Sequence, residues 1–314
     1  MSLLSSMYAS GVKLRNALYD RRVLQANRLK GPVISVGNLS VGGSGKTPFV
    51  LLLGKLLKQR DVPFDILSRG YGRNTTGIAP VDPSGTAPVY GDEPVLLARR
   101  LAVPVIIGEN RYEAGAFAEK KFGPQFHLLD DGFQHRSLAR DFDIVLLTQE
   151  DTTDRLLPAG RLREPLTSLA RADAVVVTSA LPADQLELKK TLVWRVTRGI
   201  AVTGVPQRPV AFCGIARAKS FFSDLRIAGI DPVAERPFPD HHTYTEADIQ
   251  RLIALRRQVS AGGFVTTEKD SINLGGLAAK LDPLAVAVVT MELADSANAV
   301  DTMLRTIRER KRAS

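Results

Sequence analysis

The sequence predicts an α/β fold in which a parallel β-sheet carries helices on both faces, with a smaller C-terminal α/β domain. Two observations lead to this fold class. Short apolar runs alternate with amphipathic segments from Pro32 onward, which is typical of parallel strands joined by helices. The first of these runs passes directly into a glycine-rich turn and then into a helical pattern, which indicates a strand–loop–helix unit.

Each element is predicted from its hydrophobic pattern. Apolar runs predict buried strands at 33–36, 65–67, 103–107, 126–129, 144–147 and 174–177. Amphipathic segments between several of them predict helices at 49–58, 94–101 and 111–121. After Leu181 the pattern changes, with a helix predicted at 181–190 and β-structure at 192–203, before strand–helix units resume. The predicted parts are therefore an N-terminal helix at 1–30, a core at 31–190 and a smaller α/β domain at 191–314.

The glycine-rich turn between the first strand and the first core helix has the features of a phosphate-binding P-loop. Its glycines let backbone N–H groups turn toward an anion, and the following helix N-terminus adds partial positive charge. Lys46 is expected to reach the β- and γ-phosphates of a nucleotide, and the Thr47 hydroxyl to bind Mg²⁺. The residues expected to contact the nucleotide are Ser40, Val41, Gly42, Gly43, Ser44, Gly45, Lys46 and Thr47.

One residue departs from the general P-loop pattern, because Ser40 stands where a glycine is usual. The alternative interpretation is a glycine-rich turn with a solvated lysine. The strand before the turn and the helix after it favour the P-loop interpretation.

The composition is that of an ordinary globular protein, with 44% hydrophobic and 24% charged residues. The apolar runs are all shorter than eighteen residues, so no membrane-spanning helix is expected. A single cysteine, Cys213, excludes an intramolecular disulfide and a cysteine-rich metal site. The net charge of +9 indicates an anionic partner, which could be a nucleic acid, an anionic lipid or a phosphorylated substrate.

The segment 1–30 mixes apolar residues at helical spacing with six cations and one acid, Asp20. A basic amphipathic helix of this kind can lie in a membrane interface with its cations on anionic headgroups. It can equally be a basic helix that packs on its own domain. The segment alone favours neither interpretation.

Further polar residues follow predicted strands or begin predicted helices. Asp130 and Asp131 end an apolar run and resemble the Walker B acids that hold Mg²⁺, with Gln134 and His135 close behind. Asp92 and Glu93 begin a predicted helix, where Asp92 could be a helix N-cap, a catalytic base or both.

Three other polar clusters are weaker candidates. Four histidines in the whole chain make a histidine-only metal site at Asp240-His241-His242 less economical than one histidine bonded to a carboxylate. Arg69 and Tyr71 lie on a loop after a predicted strand, where the arginine suits a phosphate. The turn at 160–165 offers Glu164 with two cations, which suits an anion or a metal–phosphate cluster.

Taken together and in order, these motifs resemble one family. The motifs are Val36-Gly37-Asn38 leading to Val41-Gly42-Gly43-Ser44-Gly45-Lys46-Thr47-Pro48, Ser68-Arg69-Gly70-Tyr71-Gly72, Gly91-Asp92-Glu93-Pro94, Asp130-Asp131-Gly132-Phe133-Gln134-His135, Gly160-Arg161-Leu162-Arg163-Glu164, Asp240-His241 and Thr267-Glu268-Lys269-Asp270. The chain closely resembles the tetraacyldisaccharide 4′-kinase family of lipid A biosynthesis over almost its whole length. The most specific element is Asp-Asp-Gly-Phe-Gln-His, and Ser40 in the loop is itself a trait of the family.

The resemblance implies transfer of the γ-phosphoryl group of ATP to the 4′-hydroxyl of a tetraacylated, 1-phosphorylated glucosamine disaccharide. It implies that Lys46 and the loop amides bind ATP and that Asp92, supported by His241, accepts the hydroxyl proton. The residues that it places around Mg²⁺ are Thr47, Asp130, Asp131 and Glu164. The other residues expected in the active site are Arg69, Tyr71, Glu93, Gln134 and His135.

A substrate with four acyl chains stays in the bilayer, so the resemblance favours the membrane interpretation of segment 1–30. It implies a peripheral enzyme on the cytoplasmic face of the anionic inner membrane, with no nucleic-acid partner. The main alternative is a membrane-recruited P-loop switch ATPase. Such ATPases carry a second lysine early in the loop, and Val41 stands at that place here, which counts against this alternative. A soluble sugar or nucleotide kinase is the nearest enzymatic alternative. A GTPase is disfavoured, because Glu268-Lys269-Asp270 lacks the residue that Asn-Lys-x-Asp places between lysine and aspartate.

Overall fold

The computed structural model describes residues 3–178, 181, 188 and 191–312. Its strands form one 12-stranded sheet in the order β10-β9-β11-β12-β8-β7-β6-β1-β5-β2-β4-β3. The strands are β1 (Val33–Asn38), β2 (Phe64–Ser68), β3 (Ala79–Pro80), β4 (Val105–Ile107), β5 (Phe126–Asp130), β6 (Phe142–Leu147), β7 (Ala174–Thr178), β8 (Leu192–Val202), β9 (Val210–Cys213), β10 (Ala234–Pro237), β11 (Phe264–Thr267) and β12 (Leu284–Leu293).

The helices connect these strands and cover the sheet. They are α1 (Leu3–Asp20), α2 (Lys46–Lys58), α3 (Ala87–Tyr90), α4 (Asp92–Leu101), α5 (Arg111–Phe122), α6 (Ala218–Ile227), α7 (Glu246–Gln258), α8 (Glu268–Leu274) and α9 (Ser296–Arg312). Short 3-10 helices lie at Glu150–Thr152, Leu166–Arg171 and Gly275–Leu281.

The sheet is mostly parallel, and β1 lies near its centre. This strand pairs in parallel with β5 on one side and with β6 on the other. Its residues are all buried, which explains why it reads as a continuous apolar run rather than an alternating one. Antiparallel pairs occur where β8 meets β12 and where β3 meets β4 at the sheet edge.

Helices cover both faces of this sheet. On one face Phe49 of α2, Leu97 of α4 and Met303 of α9 share a single core with the strands. On the other face Ala114 and Ala118 of α5 pack with the sheet in a separate core. The prediction of a parallel sheet with helices on both faces is therefore confirmed.

The sheet continues through the predicted boundary near residue 190. Strand β8 pairs in parallel with β7 on one edge and antiparallel with β12 on the other, so the C-terminal strands extend the same sheet. The predicted division into units at 31–190 and 191–314 stays a prediction. Of the helix predicted at 181–190, residues 182–187 and 189–190 lie outside the described residues.

A buried histidine ties the N-terminal ends of the central strands together. The His127 side chain on β5 is fully buried, with Nδ1 2.8 Å from Asp65 Oδ1 on β2. Its Nε2 lies 3.4 Å from Glu119 Oε1, which also accepts a hydrogen bond from the Gly31 backbone N–H. Burial lowers the pKa of His127, but the hydrogen bonds and charges of Asp65 and Glu119 outweigh burial and raise it.

We expect His127→Ala to lower the free energy of unfolding by about 3–5 kcal/mol, because it leaves buried carboxylates without their partner. Since the folded-state pKa of His127 is raised, its stabilising contribution is present below the unfolded pKa of about 6.5 and is lost as pH rises through the folded value. Urea unfolding of both proteins at several pH values measures this contribution. The difference in free energy of unfolding between wild type and His127→Ala should become smaller at high pH. A pH-independent difference would contradict the charged state of His127.

Candidate active site

The P-loop runs from the end of β1 to the start of α2. Asn38 ends the strand and donates a hydrogen bond to the Ser40 backbone oxygen at 2.8 Å. Ser40 is fully buried, which fits its place in the strand-proximal part of the loop. Gly45, with φ of 85°, occupies the N-cap position of α2, so the turn needs the left-handed conformation that glycine adopts readily.

Lys46 is held by two polar partners at the start of α2. Its Nζ donates to Asn38 Oδ1 at 3.0 Å and lies 3.4 Å from Asp131 Oδ1. The Asp131 carboxylate also accepts two hydrogen bonds from Arg163, at 2.9 and 3.1 Å. Burial raises the pKa of Asp131, but Lys46 and Arg163 outweigh it and hold that pKa far below its usual range. Asp131 therefore orients the two cations beside the loop.

Asp130 ends β5 next to this cluster and has an unused oxygen. Its Oδ2 accepts a hydrogen bond from Ser68 Oγ at 3.2 Å. Its Oδ1 is buried and has no hydrogen-bond partner among the residues that the structure describes. Burial, followed by the charges of Glu93 and Asp131, raises the pKa of Asp130 to about 7. The charge of Lys46 lowers this pKa only in part. A buried carboxylate with an unpartnered oxygen is suited to a cation supplied with a ligand.

Thr47 lies beside a second carboxylate. Its Oγ1 donates to Glu93 Oε1 at 3.0 Å, and Lys269 of α8 also pairs with Glu93. Burial raises the pKa of Glu93, but the charge of Lys269 outweighs it and lowers the pKa overall. Within 3–178 and 191–312, no three or more His, Cys, Asp or Glu side chains cluster closely enough to hold a metal unaided. A metal here would need oxygens from a hydroxyl and from substrate, which is the usual situation for Mg²⁺.

Asp92 and His241 form a close pair beside Glu93, the residue that bonds to Thr47. His241 Nδ1 lies 2.9 Å from Asp92 Oδ2, which also accepts a hydrogen bond from Asn273 at 3.2 Å. The other oxygen, Oδ1, accepts from the Glu93 backbone N–H at 2.8 Å. The prediction that Asp92 is the N-cap of its helix is wrong, because Gly91 occupies that position and Asp92 is the first helical residue.

The two members of this pair shift each other's pKa in opposite directions. Burial raises the pKa of Asp92, but the hydrogen bond from His241 and the charge of Lys269 leave it below its usual value. The hydrogen bond to Asp92 raises the pKa of His241. The pair therefore holds an ionised carboxylate against an imidazole at neutral pH.

A cavity of about 70 Å³ opens on the Asp92–His241 pair. The Tyr71 ring packs against the His241 ring, with 5.1 Å between the ring centroids. The residues that line the cavity are Tyr71, Gly72, Asn74, Ala87, Pro88, Asp92, His241, Thr243 and Asn273. Amide and hydroxyl groups near a carboxylate are suited to an acceptor that carries several hydroxyl groups.

Most of the other predicted residues lie near these two clusters. Gln134 donates to the Asn38 backbone oxygen at 2.9 Å, at the root of the P-loop. His135 lies 3.1 Å from Ser137 Oγ. Burial and then the charge of Arg111 lower the pKa of His135 to about 4, so the ring is neutral. Arg69 is exposed, and its charge lowers the pKa of His135 further.

Glu164, which the resemblance places around Mg²⁺, is held by an arginine and an asparagine. Its side chain is fully buried and accepts hydrogen bonds from Arg171 at 2.9 and 3.2 Å and from Asn16 of α1 at 2.7 Å. Burial raises the pKa of Glu164, but Arg171 lowers it overall. Arg171 thus pairs with this carboxylate, and the role of Glu164 as a metal ligand stays a prediction.

The side-chain partners of three residues of the site were not predicted from the sequence. Arg163 orients Asp131, Lys269 pairs with Glu93, and Asn273 donates to Asp92. Lys269 and Asn273 lie one helical turn apart on α8, so both face the acids at the start of α4. That spacing was visible in the sequence, but the partner of α8 was not.

A strand, a glycine turn, a lysine and a buried carboxylate, with an acid–imidazole pair facing a cavity, define a P-loop phosphotransferase. The family model for tetraacyldisaccharide-1-P 4′-kinase (LpxK) matches residues 1–308. The chain belongs to this family.

Individual relatives are similar to this chain over nearly its whole length. A tetraacyldisaccharide 4′-kinase from Koribacter versatilis (strain Ellin345) is 50% identical, covering 99% of this chain and 100% of the relative. One from Geobacter metallireducens is 39% identical, covering 94% of each chain. A crystal structure of "apo" form LpxK from Aquifex aeolicus in complex with ATP has a TM-score of 0.77 at 35% identity, covering 97% of each chain.

Proposed function

We propose that this chain transfers the γ-phosphoryl group of ATP to the 4′-hydroxyl of a tetraacylated glucosamine disaccharide 1-phosphate. The observation that carries the proposal is the Asp92–His241 pair, which lines a cavity. Asp92 directly precedes Glu93 in the chain. Since Glu93 accepts the hydrogen bond of Thr47, the acceptor cavity and the P-loop meet at adjacent residues. A hydroxyl group in the cavity would thus lie between a base and a phosphate site.

Asp92 is the residue we propose as proton acceptor. The hydroxyl proton moves to its carboxylate while His241, through Nδ1, and Asn273 hold Oδ2 in place. Phosphoryl transfer depends mostly on positioning and charge neutralisation, so a carboxylate with a low pKa is an adequate base. Glu93 and Lys269 fix the neighbouring backbone and keep the local charge balanced.

Lys46 and the loop amides are proposed to hold the triphosphate. Mg²⁺ would be held by the Thr47 hydroxyl and the unpartnered Asp130 Oδ1, together with phosphate oxygens and water. When bound, the ion supplies positive charge to the phosphate oxygens. Asp131 orients Lys46 and Arg163 beside it. Glu164 is left out of this proposed set, because Arg171 neutralises it.

The proposed activity is tested with γ-labelled ATP and a detergent-dispersed tetraacylated disaccharide 1-phosphate. We expect label on the lipid at the 4′-position, and no transfer to a matched lipid whose 4′-hydroxyl is methylated. Release of labelled phosphate without lipid labelling would favour the switch ATPase. Labelling of a deacylated disaccharide at an equal rate would favour a soluble sugar kinase.

Helix α1 is proposed to lie on the cytoplasmic face of the inner membrane, since the acylated substrate resides in a bilayer. Its outward side carries Leu4, Met7 and Leu14, each more than 60% exposed and spaced to share one helix face. Its inward side is anchored, because Tyr8 donates a hydrogen bond to the Arg163 backbone oxygen. Among the described helices, none is long and apolar enough to cross a membrane. An anionic lipid surface, rather than a nucleic acid, is thus the proposed partner for the positive charge.

We expect the combined variant Lys13→Glu, Arg21→Glu and Arg22→Glu to pellet less with anionic vesicles than wild type does. Each cation near such a surface contributes about 1 kcal/mol, and salt screens that attraction. The variant should lose more activity on bilayer-embedded lipid than on detergent-dispersed lipid. Equal losses on both substrate forms would contradict the interfacial role of α1.

As a matched control, Met7→Ser with Leu14→Ser removes apolar side chains without changing the charge. We expect this variant to lose the part of vesicle binding that survives at high salt. If high salt abolishes wild-type binding altogether, these side chains do not enter the interface.

A further inference from the structure

An arginine from the C-terminal half of the chain lies over the glycine loop. Arg217 comes after β9 at the start of α6. A methyl group built on Gly43 would lie 3.6 Å from Arg217 Cγ and 3.8 Å from its Cδ. A methyl group built on Gly42 would lie 3.6 Å from the Cβ of Ala216. Both glycines are exposed, so the side chain of Arg217 borders the open side of the loop.

The guanidinium of Arg217 is held by weak contacts. It donates to Glu150 Oε2 at 3.3 Å and to Thr148 Oγ1 at 3.4 Å, both near the long limit for a hydrogen bond. The Glu150 side chain is 57% exposed, and an ion pair with so exposed a partner contributes little. The Nε of Arg217 is buried and lacks a partner within the part of the chain that the structure describes.

The charges around the loop leave a place for a second cation. Lys46 and Arg163 are both directed at Asp131, which neutralises part of their charge. A nucleoside triphosphate brings several negative charges to the loop, and arginine binds phosphate oxygens through two parallel N–H groups. A rotation of the Arg217 side chain, which borders the loop, would exchange Glu150 for phosphate.

We propose that Arg217 is a nucleotide-binding residue that leaves Glu150 and binds the polyphosphate of the nucleotide at the P-loop. Through Arg217, the C-terminal half of the chain would contact the bound triphosphate directly. This inference rests on the proposed function, because it takes ATP to bind at the loop. Glu150 pairs with Arg217 in the absence of nucleotide, and the phosphate groups replace it when nucleotide binds.

The test measures dissociation constants for ATP and ADP by isothermal titration with the full chain. We expect Arg217→Ala to weaken ATP binding about 10- to 100-fold, with a smaller loss for ADP, since an arginine–phosphate contact is charge-assisted. Arg217→Lys should recover part of the loss, because it keeps the charge without the paired donors. Thermal unfolding with each variant checks that the chain is folded.

Two control variants separate this role from a structural ion pair. Glu150→Gln removes the same pair from its other side, and the proposal expects unchanged or tighter ATP binding. Arg226→Ala removes an exposed arginine of the same helix, which pairs with Glu235, and should leave ATP binding unchanged. Equal weakening by Arg217→Ala and Glu150→Gln, or no weakening by Arg217→Ala, would overturn the proposal.

The outcomes also distinguish the inference from the proposed function beneath it. If wild type binds ATP and Lys46→Ala does not, the P-loop assignment stands whatever Arg217 does. If wild type fails to bind ATP, both the proposed function and the role of Arg217 are rejected.

Discussion

Asp92→Asn is expected to lower kcat by about two to four orders of magnitude while ATP binding is largely kept. Asparagine has the same size as aspartate and can still accept the Glu93 backbone N–H that now bonds to Oδ1. It cannot accept the hydroxyl proton of the acceptor, and it removes the charge that faces His241. Steady-state kinetics and an ATP-binding titration on the same preparation measure the two effects separately.

A matched variant, Asp82→Asn, controls for the loss of one negative charge. Asp82 is exposed and its side chain bonds to Ser84, away from the cavity, so its kinetics should stay at the wild-type level. If Asp92→Asn instead lowers the melting temperature and keeps its turnover, Asp92 only stabilises the start of α4.

Lys46→Ala should lower kcat/KM on the order of a hundredfold or more. The lysine lies at the first position of α2, where its ammonium group and the helix N-terminus face the same anion. Its removal leaves Asp131 with Arg163 as a counter-charge, so the fold should survive. Kinetics and ATP titration on protein of verified melting temperature give the readout.

Lys55→Ala is the control for this variant, because Lys55 is an exposed lysine of the same helix. It should have wild-type kinetics. Near-wild-type kinetics in a folded Lys46→Ala protein would reject the P-loop assignment.

The parts of the fold that follow from local patterning could be predicted. Strands buried on both faces, such as β1 and β5, appear as apolar runs, and the glycine turn after β1 marks the start of α2. The continuity of the sheet across β7, β8 and β12 could not be predicted, because strand order depends on contacts between distant segments. Short edge strands such as β3 carry too few residues for any periodicity.

In the site, too, contacts between distant segments could not be predicted. Lys46, Thr47, Asp130 and Asp92 could be proposed as site residues because each lies at a fixed place in a short motif. The resemblance also paired Asp92 with His241. Three further contacts could not be predicted, because the partners come from distant segments: Arg163 with Asp131, Lys269 with Glu93, and Asn273 with Asp92.

Glu164 is an example of this limit. The resemblance implies that it lies around Mg²⁺, and the motif could not show that Arg171 and Asn16 donate hydrogen bonds to its carboxylate oxygens. Which acid keeps a free oxygen is decided by such distant partners, and among the described residues beside the P-loop Asp130 keeps one.

The central claim is that Asp92 and His241 act as one unit in the transfer step. A double-mutant cycle with Asp92→Asn, His241→Ala and the combined variant tests it most directly, with kcat measured at saturating ATP. We expect His241→Ala to cost less than Asp92→Asn, and the combined variant to lose far less than the product of the two single losses. Single losses that multiply in the combined variant would show that the two residues act independently, which would contradict this mechanism.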